Sequence, residues 1–244
     1  MSLRELVKGG LNGLLRGVGA RMVNAEWGPK GFAACFERAR AVGFEPRTIV
    51  DVGASDGRWT LECAEVFPQA RYALFDPLPE NVAAIAHLTD GPLDIVSWQG
   101  ALGAEPGALA LNAHGHQSSF YNSAEFPGEP LKVAVRTLDS FIEPMGFTSP
   151  MLIKADVQGY ELNVLRGGAK CLEMTEMILL EVSFRQVYSD SPLAHEVIAA
   201  LAAKGYRIYD ICSYAQRASD RELAQADIAF VRAGSKIFRS ELWA

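Results

Sequence analysis

The run Asp51-Val52-Gly53-Ala54-Ser55-Asp56-Gly57 has the residue types of a ligand-binding chain turn. It follows an apolar segment, Thr48–Val52, that predicts a buried strand, and it precedes a helical pattern. Gly53 allows a tight turn after such a strand, and Gly57 allows a ligand or the next helix to approach the backbone. The glycine spacing is G-x-x-x-G, which differs from the G-x-G-x-x-G of dinucleotide sites. The alternative is a glycine turn that only reverses the chain.

A second acidic residue, Asp76, ends the next apolar segment, Tyr72–Phe75, and Pro77 follows it. A carboxylate about 20 residues after a glycine turn is placed to accept hydrogen bonds from the two hydroxyls of a ribose. The spacing therefore predicts that Asp76 binds a nucleoside ligand, with Pro77 fixing the chain direction after the strand. The alternative is a solvated acid at a strand end. Asp56 is better explained as a helix-start residue that favours the helix dipole.

Asp156 ends another apolar segment, Met151–Ala155, which also places Lys154 among apolar residues. Burying a lysine and an aspartate near each other costs solvation free energy, so a functional role is favoured. Open parallel sheets bind ligands at the carboxyl ends of their strands. Asp156 is therefore a candidate to take a proton from a nucleophile, to orient it, or to hold a metal. Glu181, which ends the next such segment, is a candidate to face the same ligand or to bind a metal with Asp156.

A polar stretch between Ala113 and Asn122 predicts a loop inside the domain, and long internal loops are often functional. It contains His114 and His116, which are candidate general bases because histidine has the unperturbed pKa nearest neutrality. The alternative for each histidine is a surface loop residue. Ser118 and Ser119 suit substrate hydrogen bonding and turn capping equally well.

These residues need a scaffold, and apolar runs that alternate with helical patterns from Arg47 onward predict one. Near-continuous apolar strands between helices indicate a parallel sheet that is covered on both faces. The last two strands are joined by a loop, which predicts an antiparallel hairpin at one edge. The predicted strands are 48–52, 72–75, 93–98, 151–155, 177–182, 206–211 and 227–231, with short extra strands at 109–112 and 133–135. The predicted helices are 58–67, 79–88, 160–165 and 193–204.

Composition excludes several classes of protein. The 244 residues are 49% hydrophobic and 21% charged, which supplies a full core and excludes disordered chains. The net charge of −6 argues against a nucleic-acid partner. The four cysteines are widely scattered, which indicates reduced thiols rather than a zinc site or a disulfide framework. No apolar run is long enough for a transmembrane segment, so a cytoplasmic location is expected.

The first 44 residues are predicted to form a helical extension before a single domain at 45–244. Apolar side chains recur at helical spacing from Leu3 to Val18, which predicts an amphipathic helix. Residues 1–40 carry a net charge of +4, which leaves −10 for the rest of the chain. The helix is expected to pack over the domain or to form a homodimer contact, and attachment to a membrane surface is the alternative.

Several segments together resemble the FkbM family of methyltransferases, a branch of the class I enzymes that depend on S-adenosyl-L-methionine. The resemblance extends over roughly residues 47 to 232 and implies a Rossmann-like α/β fold with a mostly parallel seven-stranded sheet. It also implies that the carboxylate of Asp51 favours the cationic methionine end of the cofactor. The matching segments are 51–57, 75–81, 136–141 and 153–161 with 165–169. The implied cofactor-binding residues are Asp51, Gly53, Ala54, Ser55, Gly57, Asp76, Pro77, Ala101 and Asp156.

The resemblance implies O-methylation of a hydroxyl on a sugar, a glycan or a secondary metabolite. Ser55 stands where the family usually has Asn, Asp76 where it has Glu, and Gln158 where Glu is common. The first two departures preserve hydrogen bonding or charge, whereas Gln158 removes a carboxylate and with it a catalytic role. Asp156, His116 and His114 remain the candidate bases, and a divalent metal is compatible but unsupported by the sequence. The alternative function is a non-catalytic cofactor-binding or scaffolding protein on the same fold; the glycine spacing disfavours a nicotinamide oxidoreductase.

Overall fold

Ten strands form two sheets, as shown by a computed structural model that describes residues 29–239. The strands are β1 (Thr48–Val52), β2 (Arg71–Asp76), β3 (Ile95–Gln99), β4 (Ala101–Leu102), β5 (Gly107–Ala113), β6 (Glu129–Arg136), β7 (Met151–Ala155), β8 (Thr175–Ser183), β9 (Tyr206–Gln216) and β10 (Leu223–Arg232). The helices are α1 (Gly31–Arg40), α2 (Arg58–Val66), α3 (Pro79–Thr89), α4 (Glu161–Arg166), α5 (Ala169–Met174) and α6 (Ala194–Ala203).

The main sheet has seven strands in the order β3-β2-β1-β7-β8-β10-β9. Neighbouring strands from β3 to β8 are parallel, while β10 is antiparallel to both β8 and β9. The predicted mostly parallel sheet with an antiparallel edge hairpin is therefore confirmed, and each of its seven predicted strands forms. Helix α5 was not predicted.

Successive residues of the central strands pack against opposite layers of helices, as the two-residue period of a strand requires. On one face Val50 and Ile153 belong to a cluster that includes residues of α4, α5 and α6. On the other face Ile49 and Leu152 belong to a cluster that includes residues of α1, α2 and α3. Because both faces are covered, the strands read as continuous apolar runs in the sequence.

The strand order reverses between β1 and β7, since β2 and β3 lie on one side of β1 and β8 lies beyond β7. Ligands bind at such a switch point, outside the carboxyl ends of the strands. Gly53 follows the end of β1 and Asp156 follows the end of β7. The topology thus brings the glycine turn and the Asp156 segment to the same place.

The second sheet, β4-β6-β5, carries the predicted functional loop. The backbone of Asn112 forms two hydrogen bonds with the backbone of Ser119, which closes residues 113–118 into a tight loop at the end of β5. Short strands at 109–112 and 133–135 were predicted; the pairing of β6 with both β4 and β5 in a separate sheet was not.

Helix α1 lies in the segment that was predicted as an extension, and its Cys35, Phe36 and Ala39 are fully buried in the core. Contacts within the chain group residues from Gly31 onward into one unit. The amphipathic helix predicted from Leu3 to Val18, with its proposed dimer contact, lies outside the described residues, and the boundary at residue 44 stays a prediction. No helix within residues 29–239 has the length and apolarity needed to cross a membrane.

Candidate active site

The glycine turn after β1 is held against its two neighbouring strands. Gly53 has a φ of 76°, and its N–H donates to the carbonyl oxygen of Phe75 at 2.9 Å. A Cβ atom at Gly53 would overlap the carbonyl oxygen of Asp156. The turn therefore needs glycine both for its left-handed backbone and for the close approach of the β7 end.

A buried ion pair lies directly behind this turn. Asp51 and Lys154 are paired neighbours of β1 and β7, so their side chains share one face of the sheet. Lys154 Nζ lies 2.9 Å from Asp51 Oδ1 and donates to the carbonyl oxygen of Gly53 at 2.7 Å. Thr60 Oγ1 donates to Asp51 Oδ2 at 2.6 Å. Burial lowers the pKa of Lys154, but the charges of Asp51 and Asp156 outweigh it and raise that pKa, so the ammonium stays charged.

Asp76 is 3% exposed, and its carboxylate accepts three N–H groups. Oδ1 accepts from the backbone of Leu78 at 2.9 Å and from Asn81 Nδ2 at 3.0 Å. Oδ2 accepts only from the backbone of Ser55 at 2.8 Å, which leaves it able to accept one further hydrogen bond. Burial raises the pKa of Asp76 while these N–H groups oppose the increase. The carboxylate thus joins the end of β2 to the glycine turn.

Two adjoining cavities open at the carboxyl ends of the strands. Both are lined by Gly53, Ser55, His116 and Asp156. The first cavity is walled mostly by apolar and aromatic residues around Asp76: Val52, Phe75, Pro77, Leu78, Ala101, Leu102, Leu111, Phe120, Val157 and Tyr160. The second cavity is more polar and contains Phe32, Ala54, Asp56, Arg58, Trp59, Lys154, Ala155, Leu179, Glu181 and Asp227.

Acidic groups on or directly after three neighbouring strands of the main sheet, β7, β8 and β10, line the second cavity. Glu181 lies near the end of β8, and Asp227, on the antiparallel strand β10, is its paired neighbour. Burial, together with the charges of Asp156, Glu161 and Asp227, raises the pKa of Glu181 to about 9. Burial likewise raises the pKa of Asp227. At neutral pH Glu181 therefore holds a proton and can donate a hydrogen bond as well as accept one.

The two histidines of the 113–118 loop occupy different surroundings. His116 Nδ1 lies 2.9 Å from Ser55 Oγ, on the wall that the two cavities share. His114 lines neither cavity: its Nδ1 lies 3.0 Å from the carbonyl oxygen of Pro127, and its ring packs near Phe126. Of the two, only His116 is placed to touch a ligand.

Most of the predicted cofactor-binding residues line one of the two cavities. Asp51 and Gly57 do not. Asp51 lies behind the turn and acts on it through Lys154. A Cβ at Gly57 would stand 2.6 Å from Leu88 Cδ1, so this glycine admits helix α3. Those on a cavity wall are Gly53, Ala54, Ser55, Asp76, Pro77, Ala101 and Asp156.

The sequence profile of the methyltransferase FkbM domain matches residues 51–208, more than half of the chain. The chain belongs to the FkbM methyltransferase family. A curated relative, the 2-O-methyltransferase NoeI of Sinorhizobium fredii, is 29% identical over 159 residues, which are 57% of this chain and 65% of the relative. The crystal structure of methyltransferase FkbM from Methylobacillus flagellatus superposes with a TM-score of 0.54 at 17% identity. That match covers 82% of this chain and 48% of the other, so this chain spans about half the length of that structure.

The matched FkbM segment contains nearly the whole candidate site. Of the residues that line the two cavities, Phe32 and Asp227 lie outside it. Phe32 lies on α1, and Asp227 reaches the second cavity because β10 pairs with β8. This chain thus completes the second cavity with residues on either side of the family segment.

Several residues of the site in this FkbM chain were not identified from the sequence. Asn81 supports Asp76, Trp59 lines the second cavity, and Tyr188 connects Gln158 to the loop. Asn81 follows Asp76 by five residues at the start of α3, which is a signal that sequence reading can use. Tyr188 and Asp227 have no local signal, because only the order of the strands brings them near.

The divalent metal with which the sequence is compatible is not assigned to either cavity. One group of three potential ligands within residues 29–239 has its donor atoms within 4.8 Å of one another: Cys35, Asp210 and Cys212. None of them lines the two cavities, and the Asp210 carboxylate is paired with Arg38. This cluster therefore belongs to the packing of α1 against β9.

The raised pKa of Glu181 predicts a measurable pH dependence of stability. Above the ordinary glutamate pKa, 4.5, the unfolded chain loses a proton that the folded state keeps up to about pH 9. Stability from this group therefore falls as the pH rises across that window. Glu181→Gln keeps the shape without the ionisation, so we expect its unfolding temperature to exceed that of the wild type by about 5 °C at pH 9. At pH 5 the difference is expected to disappear.

Thermal unfolding at pH 5, 7 and 9 measures this effect, and Glu173→Gln, at an exposed glutamate on α5, is the control. Burial also raises the pKa of Glu161, to about 7, but that contribution is present in all three proteins and cancels in the comparison. Parallel curves for the wild type and Glu181→Gln would contradict a protonated Glu181.

Proposed function

We propose that this FkbM-family protein transfers the methyl group of S-adenosyl-L-methionine to a hydroxyl oxygen of a sugar, a glycan or a secondary metabolite. The observation that carries the proposal is the shared wall of the two cavities, which contains Gly53, Ser55, His116 and Asp156. A cavity for the nucleoside half of the donor that opens directly into an acidic one suits methyl transfer, because the second cavity can take the methionine half and the acceptor side by side. The relative NoeI is a 2-O-methyltransferase, which supports a hydroxyl acceptor.

The first cavity fits the nucleoside half of the cofactor. Asp76 Oδ2 retains a free acceptor position for a ribose hydroxyl. Phe75, Leu78 and Leu102 supply apolar walls for the adenine. Gly53 borders both cavities, and its missing side chain lets the end of β7 approach the turn, which brings Asp156 to the same wall.

An unpartnered donor in the second cavity fits the methionine half. In the part of the chain that the structure describes, the Trp59 indole Nε1 is buried and has no hydrogen-bond partner. A buried N–H without a partner is costly, so it indicates a missing acceptor. We propose that the cofactor carboxylate accepts from Trp59, with the charge of Lys154 nearby; Lys154 Nζ lies 5.8 Å from the centre of the Trp59 ring.

When bound, S-adenosyl-L-methionine supplies an electrophilic methyl group on a sulfonium. The acceptor hydroxyl must lose its proton as the oxygen attacks, so a fixed base beside it lowers the barrier. We propose Asp156 as that base, because it lines both cavities and its Oδ1 is held at 2.9 Å by Gln158 Nε2. His116 positions Ser55 on the donor side through the 2.9 Å contact.

The first test is calorimetry with S-adenosylhomocysteine, with NAD as the competing ligand. We expect S-adenosylhomocysteine to bind and NAD not to bind. Asp76→Ala is expected to weaken that affinity at least about tenfold, because charge-assisted hydrogen bonds to the ligand are lost. Asp90→Ala, which removes an exposed acid of the same charge at the end of α3, is the control. Unchanged affinity in folded Asp76→Ala would contradict its role.

The second test follows label from methyl-labelled cofactor into a panel of methyl glycosides and an extract of metabolites and glycans from the source organism. We expect label in an O-methyl ether that mass spectrometry can locate. If S-adenosylhomocysteine binds but no fraction takes up label, the protein is a binding or scaffolding protein and the proposal fails.

A further inference from the structure

Gln158 lies between two carboxyl groups and hydrogen-bonds to both. It is 6% exposed, and its φ of 52° puts a non-glycine residue in the left-handed region. Its Nε2 donates to Asp156 Oδ1 at 2.9 Å and to Glu181 Oε2 at 3.0 Å. A side-chain amide nitrogen has two hydrogens, so both are used on carboxyl groups at the ends of β7 and β8.

The other atoms of Gln158 connect it to the loop that carries His116. Tyr188 is 1% exposed, and its hydroxyl donates to Gln158 Oε1 at 2.9 Å. The same hydroxyl oxygen lies 2.7 Å from the side-chain amide oxygen, Oε1, of Gln117. Ser119 Oγ donates to the Gln158 carbonyl oxygen at 2.7 Å. The C-terminal end of the 113–118 loop is thus attached to Gln158, directly through Ser119 and indirectly through Tyr188 and Gln117.

The charge of the surroundings favours a neutral donor at this position. Glu181 keeps its proton at neutral pH because burial and the neighbouring acids oppose its ionisation. A carboxylate in place of Gln158 would add another negative charge beside Asp156 and would remove both donors. The titratable groups around this side chain are Asp156, Glu161, Glu181, Tyr188, Asp227 and Lys154.

We propose that Gln158 is a positioning residue for methyl transfer, which holds the Asp156 and Glu181 carboxyl groups beside each other and fixes the His116 loop over them. The proposal rests on the function given above. Gln158, which stands where the family commonly has Glu, therefore has a role of its own. Its amide supplies two N–H donors to carboxyl groups of neighbouring strands, and its oxygens contact the loop side. In this proposal Asp156 takes the proton, and Gln158 acts through the position of Asp156 and of the His116 loop.

Gln158→Leu removes the side-chain hydrogen bonds of this residue at nearly constant side-chain volume. We expect kcat for the labelled acceptor to fall at least about tenfold, with the affinity for S-adenosylhomocysteine within about twofold of wild type. Amide hydrogen exchange of residues 113–119 is expected to become about fivefold faster, since Tyr188, which contacts Gln117 of the loop, loses its hydrogen bond to residue 158, while the bond from Ser119 to the backbone carbonyl is retained.

Gln158→Glu tests the requirement for a donor through pH. A protonated glutamate can still donate one hydrogen bond, whereas the ionised form repels Asp156. We expect methyl transfer by Gln158→Glu to recover partly below pH 6 and to fall as the pH rises. Gln158→Leu is expected to show no such recovery, because its side chain does not titrate.

Gln225→Leu is the matched control, because Gln225 Nε2 also donates to Glu181 Oε2, at 2.8 Å, but hydrogen-bonds to neither Asp156 nor the loop. It is expected to keep wild-type turnover and loop exchange. The proposal fails if Gln225→Leu matches Gln158→Leu, or if Gln158→Leu loses thermal stability without change in kcat and loop exchange. The exchange measurement needs no acceptor, so absence of methyl transfer in the wild type would overturn the proposed function separately.

Discussion

Replacement of Gly53 by alanine is expected to abolish binding of S-adenosylhomocysteine and to lower the free energy of unfolding by about 3 kcal/mol or more. The φ of 76° is unfavourable for a residue with a Cβ atom. That Cβ would also overlap the Asp156 carbonyl oxygen and stand 3.1 Å from its carbonyl carbon. The obstructing atoms belong to the backbone at the end of β7, so relief requires β1 and β7 to separate at the ligand edge.

Two effects combine at Gly53, and Gly43→Ala separates them. Gly43 has a φ of 92°, but a Cβ atom added there would have no neighbour within 4 Å, so this position has the conformational strain without the overlap. We expect Gly43→Ala to cost about 1 kcal/mol and to bind S-adenosylhomocysteine as the wild type does. Chemical denaturation and calorimetry on the three proteins measure both quantities. Wild-type affinity in Gly53→Ala would show that the turn and the β7 end are not in close contact.

The buried strands could be predicted from the sequence because each is covered on both faces. Thr48–Val52 and Met151–Ala155 are entirely buried, so their apolar runs mark them without ambiguity. Once the strands are known to be parallel, their carboxyl ends must meet at one edge. This is why residues distant in sequence, Gly53, Asp76 and Asp156, could be assigned to one edge of the sheet; in the structure all three border the first cavity, and their role in binding the cofactor stays a prediction.

The site residues that sequence reading missed depend on contacts without a local pattern. Tyr188 reaches Gln158 from a loop beyond β8, and Asp227 comes from the antiparallel strand β10. Neither position follows from periodicity, because periodicity gives the face of an element and not its neighbour. Gln158 was noticed only as the loss of a carboxylate. The role of its two N–H donors is visible only in the structure, where Glu181 on the neighbouring strand β8 accepts one of them.

The sequence motif places Asp51 at the site but does not show its contact with Lys154. Its spacing before Gly53 implied contact with the methionine end of the cofactor. In the fold its side chain is fully buried and lies on the same face as Lys154, its neighbour in β7. Lys154 then donates to the Gly53 carbonyl oxygen. Direct cofactor contact by Asp51 stays a prediction, whereas its effect on the turn through Lys154 follows from these contacts.

Asp156→Asn is expected to lower turnover by about 100-fold or more and to leave the affinity for S-adenosylhomocysteine within about threefold of wild type. Asparagine has the same shape, and its Oδ1 can still accept from Gln158 Nε2, so the cavity wall is retained. An amide cannot take the proton of an acceptor hydroxyl at neutral pH, so the loss falls on the chemical step.

Asp227→Asn is the matched control, since Asp227 also lines the second cavity but lies on β10, away from the wall that both cavities share. We expect a change in the acceptor KM for that variant with little change in kcat, because in the proposed arrangement Asp227 borders the acceptor but lies away from the wall where the proton is taken. His116→Ala tests the other candidate base on the shared wall, His116. If Asp156→Asn turned over normally while His116→Ala lost activity about 100-fold, the proton would pass to the loop histidine. Asp156 would then be a binding residue, and the inferred effect of Gln158 on catalysis would have to act through the loop that carries His116.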